Sequence, residues 1–463
     1  MLSIPLNTES TTPLYTQIYQ YIRKEILDGT LPIHQKLPSA RELSSTLSVS
    51  RTTIDMAYGQ LVDEGYLTVL AKKGYFVNEI ASLSQLSLNE AISPKTEKKQ
   101  STPSFQYDFS PFAVDLEHFP YATWQQLSRR CLKEGRDLFL LGDAMGDLSL
   151  RQAIATYLHQ SRSVKCAPEQ IVVGAGVDYL LQLLVTILGT NRSIAMENPS
   201  YIRAYRIFEG LGCKTSPISL DKDGMNIQKL YASGCDTAYV TPSHQYPLGL
   251  IMPINRRHEL LSWAASKEGR YIIEDDHDSE FRYKGKPIPS LQGIDTKDKV
   301  IYVGTFSKAI APAIRVGYMV LPPKLLELYH EKCYYYASTV SRVDQAILTT
   351  FMNEGYFERH LNRMRKLYKE KRDTMTAFLT NQALPITIRG ENAGMHLVIE
   401  FDSKKEEKQL IDLAAQKGVR VYGLSEHFIR PEKDYPPTLL LGYANLSLAE
   451  INAGLAILFD IGC

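Results

Sequence analysis

The chain has 463 residues, 44% of them hydrophobic and 22% charged, and its 52 Lys and Arg all but balance 51 Asp and Glu. That composition is globular and excludes a fibrous or wholly disordered chain, and the length asks for two or three domains rather than one core. A net charge of +1 speaks neither for nor against a nucleic-acid partner.

The N-terminal stretch "MLSIPLNTES" has neither the basic region nor the apolar core of a signal peptide. The longest apolar run, "YLLQLLVTILG" at 179–189, is too short to cross a bilayer and reads as a buried helix. Six cysteines (131, 166, 213, 235, 333 and 463) lack CxxC spacing, which speaks for dispersed thiols in a reducing cytosol and against a zinc site or a disulfide frame. The expectation is a cytoplasmic protein with no membrane segment.

In "PLYTQIYQYIRKEILDG" (13–29), Ile18, Tyr21, Ile22 and Ile26 recur at helical spacing, and Gly29 ends the helix. Ser39 then caps a second helix, with Glu42 three residues on completing a capping box. That helix ends near Leu47, "SVS" turns, and Ser50 caps a third helix from about 51 to 64. Two short helices joined this tightly form a helix-turn-helix, which puts Arg51, Thr52 and Thr53 at base edges in the major groove and leaves Arg41 for a phosphate or a base. "YLTVLAKKGYFV" (66–77) alternates around Lys72, Lys73 and Gly74, a two-stranded wing with a basic tip. Residues 1–80 carry seven Lys or Arg against eight Asp or Glu. The argument for DNA therefore rests on clustering: Arg41, Arg51, Lys72 and Lys73 fall on one face, with Asp55, Asp63 and Glu64 further along the third helix.

This segment resembles the winged helix of the GntR family of bacterial regulators. The resemblance implies that Arg41, Arg51 and Thr52 stand where that family contacts operator DNA, with Lys73 and Gly74 at the wing.

Residues 1–80 are thus read as the DNA-binding domain and 81–107, rich in serine and charge, as a flexible linker. From 108 to 463 short apolar strands alternate with helical segments: "QIVVGAG", "RSIAME", "TAYVTPS", "RYIIEDD", "KVIYVGT" and "GYMVLP". The alternation predicts a parallel sheet with helices on both faces. Residues 355–463 read as its smaller α+β lobe, built on a long charged helix and the strand "MHLVIEF".

Within "RYIIEDDHDSEF", strand alternation puts Asp275 and His277 on one face and Glu274 and Asp276 on the other. Splitting the polar run in this way, with no second ligand cluster in view, argues against a metal. "DKDG" (221–224) is a turn rather than a calcium loop, since no later ligands follow. Ligands of open sheets sit beyond the carboxyl ends of strands, so Asp275 and Lys308 of "GTFSKAIAPAIRVG" can meet over one crevice. That pair suits pyridoxal 5'-phosphate: the lysine forms a Schiff base with the aldehyde, and the carboxylate keeps the ring nitrogen protonated. Thr305, Ser307 and Arg315 form a phosphate cradle. The turn "GAGVDY" adds the helix-opening amides at Gly176 and Val177, and Tyr201 is placed to stack on the ring.

"ENPSY", "YVTPSHQYPLG", "IIEDDHDSEFRY" and "GTFSKAIAPAIRVGY" resemble fold-type I aminotransferases. With the winged helix they are similar to the MocR subfamily of GntR regulators, over about 12–80 and 105–460. The resemblance implies a multidomain chain: a winged helix-turn-helix plus an α/β pyridoxal-phosphate-dependent transferase-like domain with a small α+β lobe. It implies Lys308 as the Schiff-base lysine, Asp275 at the ring nitrogen, Tyr201 stacked on the ring, and Tyr246 where aminotransferases place an asparagine near the phenolic oxygen. His277 replaces the subfamily's usual tyrosine, which makes a titrating imidazole the partner of that oxygen. The subfamily's GABA-responsive member clamps its effector's carboxylate with two arginines. The first aligns with Arg203 and the second with Glu426, which disfavours GABA; Arg430 is the substitute. The expected function is a regulator in which a small amino-compound effector binds the cofactor as an external aldimine and alters binding to double-stranded operator DNA, working as a head-to-tail, domain-swapped homodimer. Two other readings stay open: an aminotransferase with an accessory DNA-binding lobe, and a regulator sensing pyridoxal phosphate itself.

Overall fold

A computed structural model describes residues 4–79, 105–285, 288–381, 385–403, 405–432 and 435–460. The chain divides into two compact units, Met1–Thr102 and Pro103–Cys463. The stretch 81–104, read as linker, lies outside the described residues.

In the first unit, helix α1 (Leu14–Leu27) buries Ile18, Ile22 and Ile26 together with Tyr19, while Tyr21 stays half-buried. Helices α2 (Ala40–Leu47) and α3 (Arg51–Asp63) are joined through Ser48, held at φ 55°. Their N-termini are closed by side chains, because unpaired first-turn amides need acceptors. The Ser39 Oγ accepts from the Glu42 amide at 3.2 Å, and the Ser50 Oγ accepts from the Thr53 amide at 3.1 Å. Glu42 thus contributes its amide to the cap. Strands β1 (Leu67–Leu70) and β2 (Gly74–Val77) pair antiparallel as the wing, with Leu70 opposite Gly74. One core unites Ile22, Leu43, Ile54, Tyr58, Leu61 and Leu67.

The second unit opens with strand β3 (Tyr107–Asp108), parallel to Val419–Arg420. The Gln106 amide donates to the Gly418 carbonyl, so the stretch read as the linker's tail is bound into this unit by residue 106. Strands β4 (Ile171–Gly174), β5 (Ser193–Asn198), β6 (Lys214–Asp221), β7 (Gly224–Met225), β8 (Thr237–Val240), β9 (Tyr271–Asp276), β10 (Val300–Thr305) and β11 (Gly317–Val320) form one sheet. Its order is β4-β11-β10-β9-β8-β5-β6-β7. The central strands are buried along their whole length, as the apolar runs require of a sheet covered on both faces. The sheet is not wholly parallel, however. Strand β11 runs antiparallel to both β10 and β4. The return from Thr305 to Gly317 contains one 3-10 turn, Pro312–Ile314, and no crossover helix, so it can only reverse the chain. Strands β6 and β7 are not legible in the sequence because "KTSPISLD" is polar and contains Pro217, a residue tolerated near a sheet edge.

The run "YLLQLLVTILG" lies mostly in the buried helix Val177–Leu188. Among the described residues no helix is long and apolar enough to cross a membrane. The C-terminal part has the long helix, Tyr356–Thr380, and a four-stranded antiparallel sheet that includes His396–Phe401. Much of its described core is shared with the rest of the unit: Leu397, Leu441 and Leu455 join Leu150, Ile154 and Val173 in one cluster.

Candidate functional site

Beyond the carboxyl ends of β9 and β10 lies a cavity of about 280 Å³ whose wall includes Asp275, His277, Thr305, Ser307, Lys308 and Arg315. Val177, Tyr201, Arg203 and Tyr246 complete the set of sequence candidates on that wall. Phe112, Asp178, Thr241 and Pro312 line it as well, and no motif singles them out.

Alternation along β9 sorts its acids as the sequence implies. Glu274 turns away and accepts from the Leu291 and Gln292 amides, both at 2.8 Å. Asp276 also turns away, accepting from Arg162 Nε at 2.8 Å and from the Tyr302 hydroxyl. Asp275 faces the cavity, where its Oδ2 accepts from the Tyr239 hydroxyl and its Oδ1 has no partner. Burial raises its carboxyl pKa, opposed by His277 and the Tyr239 hydrogen bond. Lys308 follows β10 directly; its Nζ donates to the Pro111 carbonyl at 3.4 Å. Burial lowers the amine's pKa, while Asp278, Asp275 and Glu280 pull the other way.

His277 is held by a group the sequence does not reveal. Asp278 accepts from His244 Nδ1, with contacts of 3.0 and 3.1 Å to its two oxygens, and its Oδ1 lies 3.3 Å from His277 Nε2. Burial works against a charged His277, but Asp278 more than offsets it and the imidazole's pKa is raised. His244, His277 and Asp278 bring ligand-type atoms within 4.8 Å of one another, a grouping not evident in the sequence. His244 reaches it from the loop after β8, a meeting no local spacing announces. The Asp278 carboxylate is already engaged by His244, so the triad reads as an internal hydrogen-bonded ion cluster.

On the opposite side, the Thr305 Oγ1 donates to the Ser307 Oγ at 3.0 Å and accepts from the Ser307 amide at 3.1 Å. Arg315 sits at φ 52°, and its Nη2 donates to the Ala175 carbonyl at 3.2 Å and to Asp178 Oδ2 at 3.1 Å. The helix opening at Val177 begins from Gly176 at φ 85°, where a Cβ would stand 2.6 Å from that Nη2. Only glycine lets the guanidinium lie there. Tyr201 precedes the helix Ile202–Gly210 and meets Tyr246 edge-on at 6.0 Å, with burial pushing its hydroxyl up to about 12. Tyr246 is buried with no partner on its hydroxyl. Its ring is surrounded by Phe112, His277, His396 and His427.

The two effector candidates part company. Arg203 reaches the wall, its Nη1 3.8 Å from Asp178. Arg430 is exposed and absent from the wall; its main chain is tied to Asn198. Glu426 is exposed, and its charge is among the causes that raise the Tyr246 hydroxyl, after burial.

In the first unit Arg41, Arg51, Thr52, Lys72 and Lys73 are exposed and Thr53 is half-buried. Ser39 and Ser50 are engaged as helix caps. Gly74 opens β2 at φ 105°, and Lys72 takes φ 63° in the wing turn. Asp55 is not remote from the reading end: its Oδ2 pairs with Arg51 Nε at 3.4 Å, one helical turn away.

Two polar atoms on one wall, Asp275 Oδ1 and the Tyr246 hydroxyl, lack hydrogen-bond partners although buried. Buried polar groups rarely go unpaired, so they fit a polar ligand. Beside a less basic lysine and an arginine at a helix N-terminus, they fit the ring nitrogen, phenolic oxygen, aldehyde and phosphate of pyridoxal phosphate.

Residues 14–77 match the family of bacterial regulatory proteins, gntR family, and residues 113–456 match aminotransferase class I and II, a family whose cofactor is pyridoxal phosphate. The chain is 40% identical to an uncharacterized HTH-type transcriptional regulator, YdeL of Bacillus subtilis, across 97% of both chains. It is 33% identical to the probable rhizopine catabolism regulatory protein MocR of Rhizobium meliloti, across 97% of this chain and 94% of that one. An archaeal alanine:glyoxylate aminotransferase structure superposes with a TM-score of 0.69 at 26% identity, across 79% of this chain and 92% of the other. The chain belongs to the MocR-type GntR regulators, in which a winged helix-turn-helix is joined to an aminotransferase class I and II domain.

Proposed function

We propose that this chain is a pyridoxal-phosphate-dependent transcription regulator whose DNA binding changes when a small amino compound reaches the cofactor. One observation carries the reading: a capped helix that exposes Arg51 and Thr52 at its start shares a chain with a cavity that pairs Lys308 with a buried, half-satisfied Asp275. Bound there, the cofactor supplies an aldehyde that condenses reversibly with amines and a ring that withdraws electrons. Lys308, made less basic by burial, offers the nucleophilic amine. Asp275, steadied by Tyr239 through Oδ2, would hold the ring nitrogen with its unpaired Oδ1. His277 and Tyr246 serve the phenolic oxygen. Thr305, Ser307, Arg315 and the amides at Gly176 and Val177 hold the phosphate, and Tyr201 flanks the ring.

For the effector, Arg203 stays in reach and Arg430 does not, so a two-arginine carboxylate clamp is missing and GABA is disfavoured. The regulator is not a turnover enzyme, although a single half-transamination is compatible with the site. A second copy would cover Phe139, Leu140, Leu141, Tyr334 and Tyr335, large apolar side chains left exposed. A head-to-tail, domain-swapped homodimer with two DNA lobes would then read paired half-sites of an operator in the cytoplasm.

The test titrates amines and amino acids into the cofactor-loaded protein while following the visible cofactor band and the anisotropy of operator DNA. Some amine is expected to change both together, and Lys308→Ala to abolish the response. DNA binding indifferent to cofactor and amines, with sustained keto-acid production, would favour the aminotransferase reading instead.

A further inference from the structure

The cavity's two arginines are already claimed by one carboxylate. Asp178, in the first turn of the helix Val177–Leu188, places Oδ2 3.1 Å from Arg315 Nη2 and 3.8 Å from Arg203 Nη1. The first contact is built by the backbone: Arg315 adopts the left-handed conformation, and Gly176 leaves the space over which its guanidinium lies. Neither contact is deeply buried, since the side chains of Arg315, Asp178 and Arg203 are 48%, 31% and 63% exposed. The carboxylate therefore occupies a donor of Arg315 that an incoming anion would compete for, held there by an ion pair weak enough to break. A phosphate and a carboxylate cannot share that guanidinium without like-charge repulsion.

We propose that Asp178 is an internal anion that occupies Arg315 until a phosphate displaces it, and that the released carboxylate closes on Arg203. Loading the cofactor would then neutralise the one candidate effector arginine on the cavity wall, so the loaded protein would favour simple amines over amino acids. This rests on the cofactor reading given above.

The experiment compares wild type with Asp178→Asn and Asp178→Ser, titrating pyridoxal phosphate and, separately, pyridoxal, and following the visible band. Both variants should bind pyridoxal phosphate about five-fold tighter than wild type, the size of one exposed ion pair, with pyridoxal affinity unchanged. In loaded wild type, an alkylamine should shift the band at lower concentration than the ω-amino acid of equal length, and Asp178→Asn should narrow that gap. Unchanged or weaker phosphate-vitamer binding, an equal gain for pyridoxal, or a gap that stays the same would overturn the proposal. No band from either vitamer in wild type would instead refute the cofactor reading on which it stands.

Discussion

In the winged unit the groups offered to DNA all lie between Arg41 and Gly74, positioned by caps, a helical period and a hairpin turn. In the aminotransferase unit the groups around the cavity come from Phe112, Val177, Tyr201, Tyr246, Asp275, Lys308 and Arg315, and only the sheet brings them together. The first kind of site is written locally and the second topologically. A local site is exposed to helix-by-helix disruption, whereas the assembled one tolerates surface change but depends on buried charge.

The largest expected effect breaks the local site. Leu61 is fully buried in the winged core. Leu61→Ala should cost that unit about 2–5 kcal/mol, lowering its melting transition and its operator binding while the cofactor band forms as in wild type. Loss of the band with equal severity would show that the two units are not separable in this way.

The second prediction concerns buried charge. Glu197 accepts from the Thr241 hydroxyl yet leaves Oε1 unpaired, and burial pushes its carboxyl from 4.5 up to about 7. Between those values the folded chain keeps a proton that the unfolded chain has released, so folding stability falls as pH rises through the window. Glu197→Gln removes that dependence. In cofactor-free protein it should gain about 1–3 kcal/mol over wild type between about pH 5 and about pH 8, measured by denaturant unfolding. A difference constant with pH would contradict the buried-proton assignment.

The next two effects sharpen the groove assignment. Arg51→Ala should cost roughly 1–3 kcal/mol and relax base discrimination at one position, in spite of the Asp55 pair that moderates its charge. Lys73→Ala should weaken binding to all sequences alike and reduce the slope of log affinity against log salt by about one. Full operator affinity in both variants would remove α3 and the wing from the interface.

The same contrast separates what is legible in the sequence from what is not. Ser39, Ser50, Gly29 and the alternation at Asp275 and His277 act on their own neighbours, so each announces its role in a few letters. The strand containing Pro217 does not, because its burial comes from its place beside β5. The direction of β11 is hidden because apolar strands look alike whichever way they run. Asp178 and Asp278 pass as ordinary polar residues. Their importance appears only when Arg315 returns from β10 and His244 arrives from the loop after β8. Arg430 differs: only the family likeness puts it near the effector, and in the fold its main chain is tied to Asn198 and its side chain is not on the cavity wall.

Borohydride reduction of the protein after incubation with pyridoxal phosphate, followed by peptide mass spectrometry, addresses the central assignment most directly. A pyridoxyl adduct should fall on the peptide that contains Lys308 and vanish in Lys308→Ala. No adduct in wild type, or labelling spread over other lysines and unchanged in the variant, would contradict it.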